Sequence, residues 1–218
     1  MMKTMRWDRI LYRSVLALGS ALGVGLYLYQ TENIGSSLSY FTNQSNLLCI
    51  ALFGTLVVRE LLGKTAEPKW LPAVKGQVTV AIVLTGVVFN LMLRPFLIVG
   101  DGYDPTTLRD FFVHVATPLL AFGDFLLFDR RGTIGKFMPL LWMAFPALYW
   151  VYTLVYAALG GTFYLSEEAT SGYPYFFMDL QTYGPLPVMV VALGVILIGY
   201  CLYGVDRGLM KRKAGVTS

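Results

Sequence analysis

The chain has 218 residues, 56% of them hydrophobic and 14% charged, and its mean hydropathy is +0.60. That composition excludes a water-soluble domain and leaves lipid as the main solvent. The formal net charge of +4 lies in segments flanking apolar runs, which suits anionic lipid head groups at a membrane rim and is not the footprint of a nucleic-acid surface.

A helix of about 20 mostly apolar residues crosses a hydrocarbon core of about 30 Å. Six such runs occupy residues 10–29, 40–58, 76–93, 110–128, 137–160 and 184–204. The connections are too short for an appended soluble module, so the expected fold is all-α: one polytopic membrane domain over 1–218, a bundle of six transmembrane helices.

Lys and Arg set the orientation, because short translocated loops lose them. Lys3, Arg6, Arg9 and Arg13 precede or open the first span, Arg59, Lys64, Lys69 and Lys75 follow the second, Arg130, Arg131 and Lys136 follow the fourth, and Arg207, Lys211, Arg212 and Lys213 end the chain. The connections 30–39 and 161–183 carry no Lys or Arg but hold Glu32, Glu167, Glu168 and Asp179. Both termini are therefore expected in the cytoplasm, with Arg94 and Arg109 as exceptions at the outer side. The first span is too long for the apolar core of a signal peptide and no A-x-A site follows it, so it is expected to stay as an anchor. Within it, Gly19 and Gly23 form a G-x-x-x-G, a mark of close helix packing.

The second span opens Tyr40-Phe41-Thr42-Asn43-Gln44-Ser45-Asn46, and at helical spacing Thr42, Ser45, Asn46 and Cys49 share a face that is polar at its outer end. Thr42 or Asn43 fits helix capping equally well. Asn43-Gln44-Ser45 is formally a glycosylation sequon, but at the membrane surface it is out of reach. After this span Gly63-Lys64-Thr65 lacks the earlier glycine of a phosphate loop, Val58 standing there. The third span ends with Asn90 and Arg94 on one face, and Arg94 is also placed to snorkel to head groups.

The fourth span places Asp110, His114, Thr117 and Asp124 on one seam. Asp110 and His114 are i and i+4, close enough for the carboxylate to orient the imidazole. Thr107-Leu108-Arg109-Asp110 also reads as a capping box. Asp124, about 15 Å beyond His114 along the helix, is expected to pair with Arg130 or Arg131. Tyr149, Trp150 and Tyr156 of the fifth span suit packing or the aromatic belt, and Tyr173-Pro174-Tyr175-Phe176-Phe177-Met178-Asp179 suits the membrane interface. Cys49 and Cys201 differ in depth by roughly 13 Å, which excludes a disulfide between them. With a single histidine, no Cys pair at metal spacing and no G-x-S-x-G elbow, neither a metal nor a cofactor is expected.

Thr42 and His114 each lie within about a turn of the outer end of their spans, and Arg94 ends the third span at that level. A hydroxyl, an imidazole and a cation or amide donors at one rim meet the needs of a nucleophilic hydrolase. The spacing equally admits a proton-coupled carrier relaying through His114, Asp110 and Asp124, or a non-catalytic assembly or sensor protein. Against the carrier stands the lack of a visible inverted repeat.

Phe41-Thr42-Asn43-x-Ser45-Asn46, Asp110-x-x-x-His114-x-x-x-Pro118 and Tyr173-Pro174-Tyr175-x-Phe177-x-Asp179, in this order, make the chain resemble one family over nearly its whole length. It is that of the androgen-induced protein and the androgen-dependent regulator of tissue factor pathway inhibitor, with their bacterial relatives. The outer tyrosine-proline segment is more similar to the bacterial branch, which implies a bacterial cytoplasmic membrane. The resemblance implies a membrane-embedded threonine hydrolase of lipid esters, such as fatty acid esters of hydroxy fatty acids, with Thr42 as nucleophile and His114 as general base toward the outer face. Beside these, Asp110 is expected to orient His114, Asn46 or Arg94 to contact the oxyanion or a substrate carboxylate, Asn43 to support the site, and Asn90, Tyr173 and Tyr175 to line the substrate.

Overall fold

A computed structural model describes residues 6–64, 66–95, 97, 104, 106–164 and 170–216, with side chains as far as Lys211. Lys3, Thr65, Glu167, Glu168 and the side chains of Arg212 and Lys213 lie outside the described residues. Six helices are long and apolar enough to cross a membrane: Trp7–Gln30, Phe41–Leu61, Leu71–Leu93, Leu108–Phe128, Met138–Ala158 and Leu186–Lys211. They are the six expected spans. The third starts earlier than its apolar run suggests because Pro72, at the first helical positions, presets a helical φ without losing a needed N–H. The fifth is interrupted between Leu141 and Ala144.

The first four spans pack in a closed ring, first on second, second on third, third on fourth and fourth back on the first. The sixth packs on the third and on the Met138–Leu141 turn, where the Gly199 backbone meets Pro139. Burial follows this order: 56% of the apolar window of the third span is buried, against 17% for the fifth and sixth, which are left to face lipid. The expected close approach at Gly23 is present, since a Cβ there would lie 2.7 Å from the Val113 side chain of the fourth span. Gly76 likewise admits the Trp142 indole, which donates through Nε1 to the Ala73 carbonyl at 2.9 Å.

At the basic end of the bundle the polar groups are buried but paired. Arg13 Nε reaches Asp124 at 2.8 Å, Arg9 reaches Glu60 at 2.9 Å, and Lys75 contacts both Asp124 and Asp129. The expected pairing of Asp124 with Arg130 or Arg131 is therefore corrected. Asp124 points into the ring, where only side chains of the first and third spans reach it, while Arg131 turns back on the Leu126 carbonyl and the Phe125 ring. Asp206 of the sixth span accepts from the backbone of Gly132 and Ile134 and fastens the neighbouring connection.

The opposite end carries a layer unforeseen in the sequence. Helix Ile34–Ser39 is capped by Asn33, whose side chain accepts from Ser36 N–H at 2.8 Å. A hairpin of β1, Phe163–Tyr164, and β2, Thr170–Ser171, pairs antiparallel beside it. Tyr40 donates to the Tyr164 carbonyl at 2.7 Å and ties the two together. The aromatic segment after the hairpin turns part of its side chains inward: Phe177 and Met178 are buried and pack on the bundle, while Tyr173, Tyr175 and Phe176 are half-buried. Its apolar side chains gain more from that burial than from the head-group layer.

Candidate active site

The second span enters from an extended Tyr40 with no side-chain cap, which corrects the capping reading of Thr42 and Asn43. Asn43 instead donates to the Ser37 carbonyl at 2.7 Å, fixing the short outer helix, and its complete burial closes the sequon to modification. Thr42 is left with its hydroxyl free to face the fourth span. Its Oγ1 lies 3.4 Å from Nε2 of His114.

His114 is held from several directions. Nδ1 lies 3.3 Å from Oδ1 of Asp110, one helical turn earlier. The ring stacks on Phe89 of the third span, with centroids 3.4 Å apart and planes 2° from parallel. Asp110 is itself fixed, because Oδ2 accepts from the Thr107 hydroxyl at 2.9 Å and Thr107 Oγ1 accepts from Asp110 N–H at 3.2 Å. Arg109 lies beside the same oxygen at 3.5 Å. The capping box and the orienting role are thus one arrangement. Nδ1 lies within ion-pair distance of the carboxylate but is not aligned with it for a hydrogen bond, and a proton on Nδ1 would leave Nε2 the lone pair that faces Thr42.

Both helices that meet at this level are locally wound as π-helix, over Phe89–Leu93 and Phe112–Ala116. A π-turn shifts the backbone hydrogen bonds by one residue and needs outside partners for displaced carbonyls. Two asparagines supply them. Asn46 donates to the Val113 carbonyl at 3.3 Å and to the Thr42 carbonyl at 2.8 Å, while Asn90 donates to the carbonyls of His114 at 3.0 Å and Gly86 at 2.8 Å. The amide oxygens are also taken, that of Asn46 by Ser20 at 2.9 Å and that of Asn90 by Arg94 at 3.2 Å.

These contacts correct three expected roles. Asn46 has no spare donor for an oxyanion, Asn90 faces backbone and not substrate, and Arg94 reaches Asn90 and not the Thr42–His114 pair. Each of these side chains supports the π-turn that presents His114. The turns themselves and the Phe89 stack carry no sequence signal at helical spacing, so they escape a reading from periodicity.

Tyr175 does converge on the pair. Its buried hydroxyl faces the start of the second span, within reach of hydrogen bonds to the Thr42 side chain and backbone. Burial pushes its pKa up to about 12, against the opposing pull of those bonds, so the phenol stays protonated at neutral pH. Tyr149 adds a second hydroxyl, accepting from Phe41 N–H at 3.1 Å and donating to the Ser39 carbonyl at 3.1 Å. Tyr173 packs against the apolar core beside them and does not border the cavity described next, which corrects its expected lining role.

Thr42 opens on a cavity of about 470 Å³ between the third, fifth and sixth spans. Leu84, Met143 and Val195 line one end of it, Leu93 and Pro185 the other, and Trp150 its side. Tyr156 is not among the lining residues. Among the described residues no Asp, Glu, Lys or Arg borders this space, and the hydroxyls of Thr42, Tyr149 and Tyr175 gather at the start of the second span. No cluster of metal-ligating side chains occurs among the described residues, and both cysteines are free. Chemically, the site can accept a proton from a hydroxyl, place a phenol and a helix N-terminus beside a developing negative charge, and hold hydrocarbon. Compared with known proteins, the chain matches no family model, no curated protein and no solved structure.

Proposed function

We propose that this protein is a membrane-embedded hydrolase of a lipid ester, with Thr42 as nucleophile and His114 as general base. The observation that carries the reading is the Asp110–His114–Thr42 sequence of contacts, 3.3 Å and then 3.4 Å, ending at the mouth of an apolar cavity. The resemblance to the androgen-induced protein family supports the same two residues and suggests esters of hydroxy fatty acids as the substrate type.

In the reaction Nε2 takes the proton of the Thr42 hydroxyl as Oγ1 attacks the ester carbonyl, and the 3.4 Å contact shortens as substrate is bound. The Tyr175 hydroxyl donates to the oxyanion, aided by the positive end of the second span. Collapse of the tetrahedral intermediate passes the proton from Nε2 to the departing alcohol and leaves an acyl-threonine. Water, deprotonated by His114, attacks that ester. The carboxylic acid is released, and the proton returns to Thr42. Asp110 orients the imidazole and stabilises its charged form in both halves.

The distribution of Lys and Arg supports cytoplasmic termini in a bacterial cytoplasmic membrane, the basic rim meeting anionic head groups and the site facing the outer leaflet. Labelling of the purified protein by a fluorophosphonate tests the chemistry. Wild type and Thr42→Ser are expected to label, and Thr42→Ala and His114→Ala to stay unlabelled while folded. Equal labelling of Thr42→Ala would remove Thr42 from the reaction.

A further inference from the structure

The cavity beside Thr42 is not closed by protein on all sides. Ala147 of the fifth span and Pro185 and Met189 of the sixth line it and are also exposed, Met189 to 61%. The inner part of the sixth span is held against the Met138–Leu141 turn, whereas its outer part borders the cavity through Val188, Val191 and Ala192. The gap therefore faces sideways, at the depth of hydrocarbon, between two helices whose outer surfaces are themselves apolar. Leu148, Val151, Val190 and Leu193 flank it and are exposed. From Leu84 to Leu93 the lined wall extends about 13 Å along the third span.

Apart from Thr85, the lining residues that carry polar atoms are Thr42, Tyr149, Tyr175 and Trp150, whose buried Nε1 has no hydrogen-bond partner among the described residues, and the rest of the lining is apolar. The Thr85 hydroxyl on the wall is already bonded to Ser45 at 2.8 Å and to the Ala81 carbonyl at 3.1 Å. A carboxylate or phosphate inside would be desolvated with no cation bordering it, a large cost. We propose that the cavity is an acyl-chain site filled sideways from the bilayer between the fifth and sixth spans, taking one uncharged hydrocarbon chain whose ester carbonyl stops at Thr42. This deepens the hydrolase reading and rests on it for the reaction, but chain binding does not need turnover.

Two measurements separate the claims. The first is quenching of Trp150 fluorescence by methyl 9,10-dibromostearate in Thr42→Ala protein in detergent, with Trp150→Phe as the blank. Quenching specific to Trp150 is expected, and it falls at least tenfold in apparent affinity in Ala192→Phe, which fills the cavity, and in Ala147→Leu, which narrows its exposed mouth. The second is hydrolysis by wild type of p-nitrophenyl octanoate against the p-nitrophenyl monoester of octanedioic acid, equal in length but charged at the far end. A ratio of kcat/KM above 100 in favour of octanoate is expected. Absence of Trp150-specific quenching overturns the acyl site whatever the enzymology shows, and equal hydrolysis of the two esters overturns the uncharged-chain requirement. Quenching without hydrolysis of either ester leaves the acyl site standing and removes the hydrolase reading.

Discussion

His114 owes its position to residues that do no chemistry. Phe89 fixes the plane of the ring, Asn46 and Asn90 hold the carbonyls of the π-turn beneath it, and Thr107 fixes the carboxylate that faces Nδ1. Replacing Asp110 by Asn keeps the shape but removes the charge that favours the imidazolium and the Nδ1–H tautomer. Turnover of a p-nitrophenyl ester by Asp110→Asn is therefore expected to lose about 10²-fold or more in kcat with KM little changed. An unchanged kcat would reduce Asp110 to a helix cap. Tyr175→Phe removes one oxyanion donor, and about 10²-fold in kcat is expected to go with it. Because the phenol titrates at about 12, its donor is present throughout the neutral range, and the wild-type rate should show no titration of Tyr175 between pH 7 and 9.

At the scale of elements, the bundle joins an ion-paired basic end to a hydroxyl-rich end through an apolar middle. Asp124 is completely buried between Arg13 and Lys75, so Asp124→Ala leaves two buried cations short of a partner, at a cost of about 3–5 kcal/mol. Thermal unfolding in detergent should show a clear loss for that variant. Asp8→Ala, which removes the exposed pair with Arg6 and a carboxylate from the first turn of the first span, should lower the midpoint far less. The same cluster bears on the carrier reading. Asp124 lies about 15 Å from His114 along the fourth span and is locked in ion pairs, and no titratable residue stands between the two on that span.

The elements also divide what a sequence can convey from what it cannot. The six apolar runs, the i and i+4 relation of Asp110 to His114, and the level shared by Thr42 and His114 follow from helical period and rise alone, and they are present in the fold. Side chains whose partner lies across the bundle were misjudged. Asp124 has its cations on the first and third spans, and Asn46 and Asn90 have carbonyls on the fourth, contacts that depend on helix rotation and on a local π-turn. In the aromatic connection, composition alone does not tell which rings turn inward, as Phe177 does, and which stay half-exposed.

For the molecule as a whole, the leaflet that supplies substrate depends on which end faces out, and charge is the only determinant the fold offers. The basic end carries Arg59, Lys75, Arg130 and Arg131, while the hairpin end carries Thr42, the cavity and Asp179. If cations are retained on the cytoplasmic side, as proposed above, the hairpin end is the translocated one. Cysteine labelling checks this directly once the exposed Cys201 is replaced by Ser, since Cys49 is buried. Gly135, exposed at the basic end with open space around its Cα, and Thr182, exposed in the short helix Leu180–Tyr183 that precedes the sixth span, are suitable positions. On intact cells a membrane-impermeant maleimide should modify Thr182→Cys and spare Gly135→Cys, with both modified after lysis. The reverse pattern would invert the bundle and move the lateral opening beside Met189 to the inner leaflet. The contacts around Thr42 would be untouched, but the pool of lipid that reaches them would be a different one.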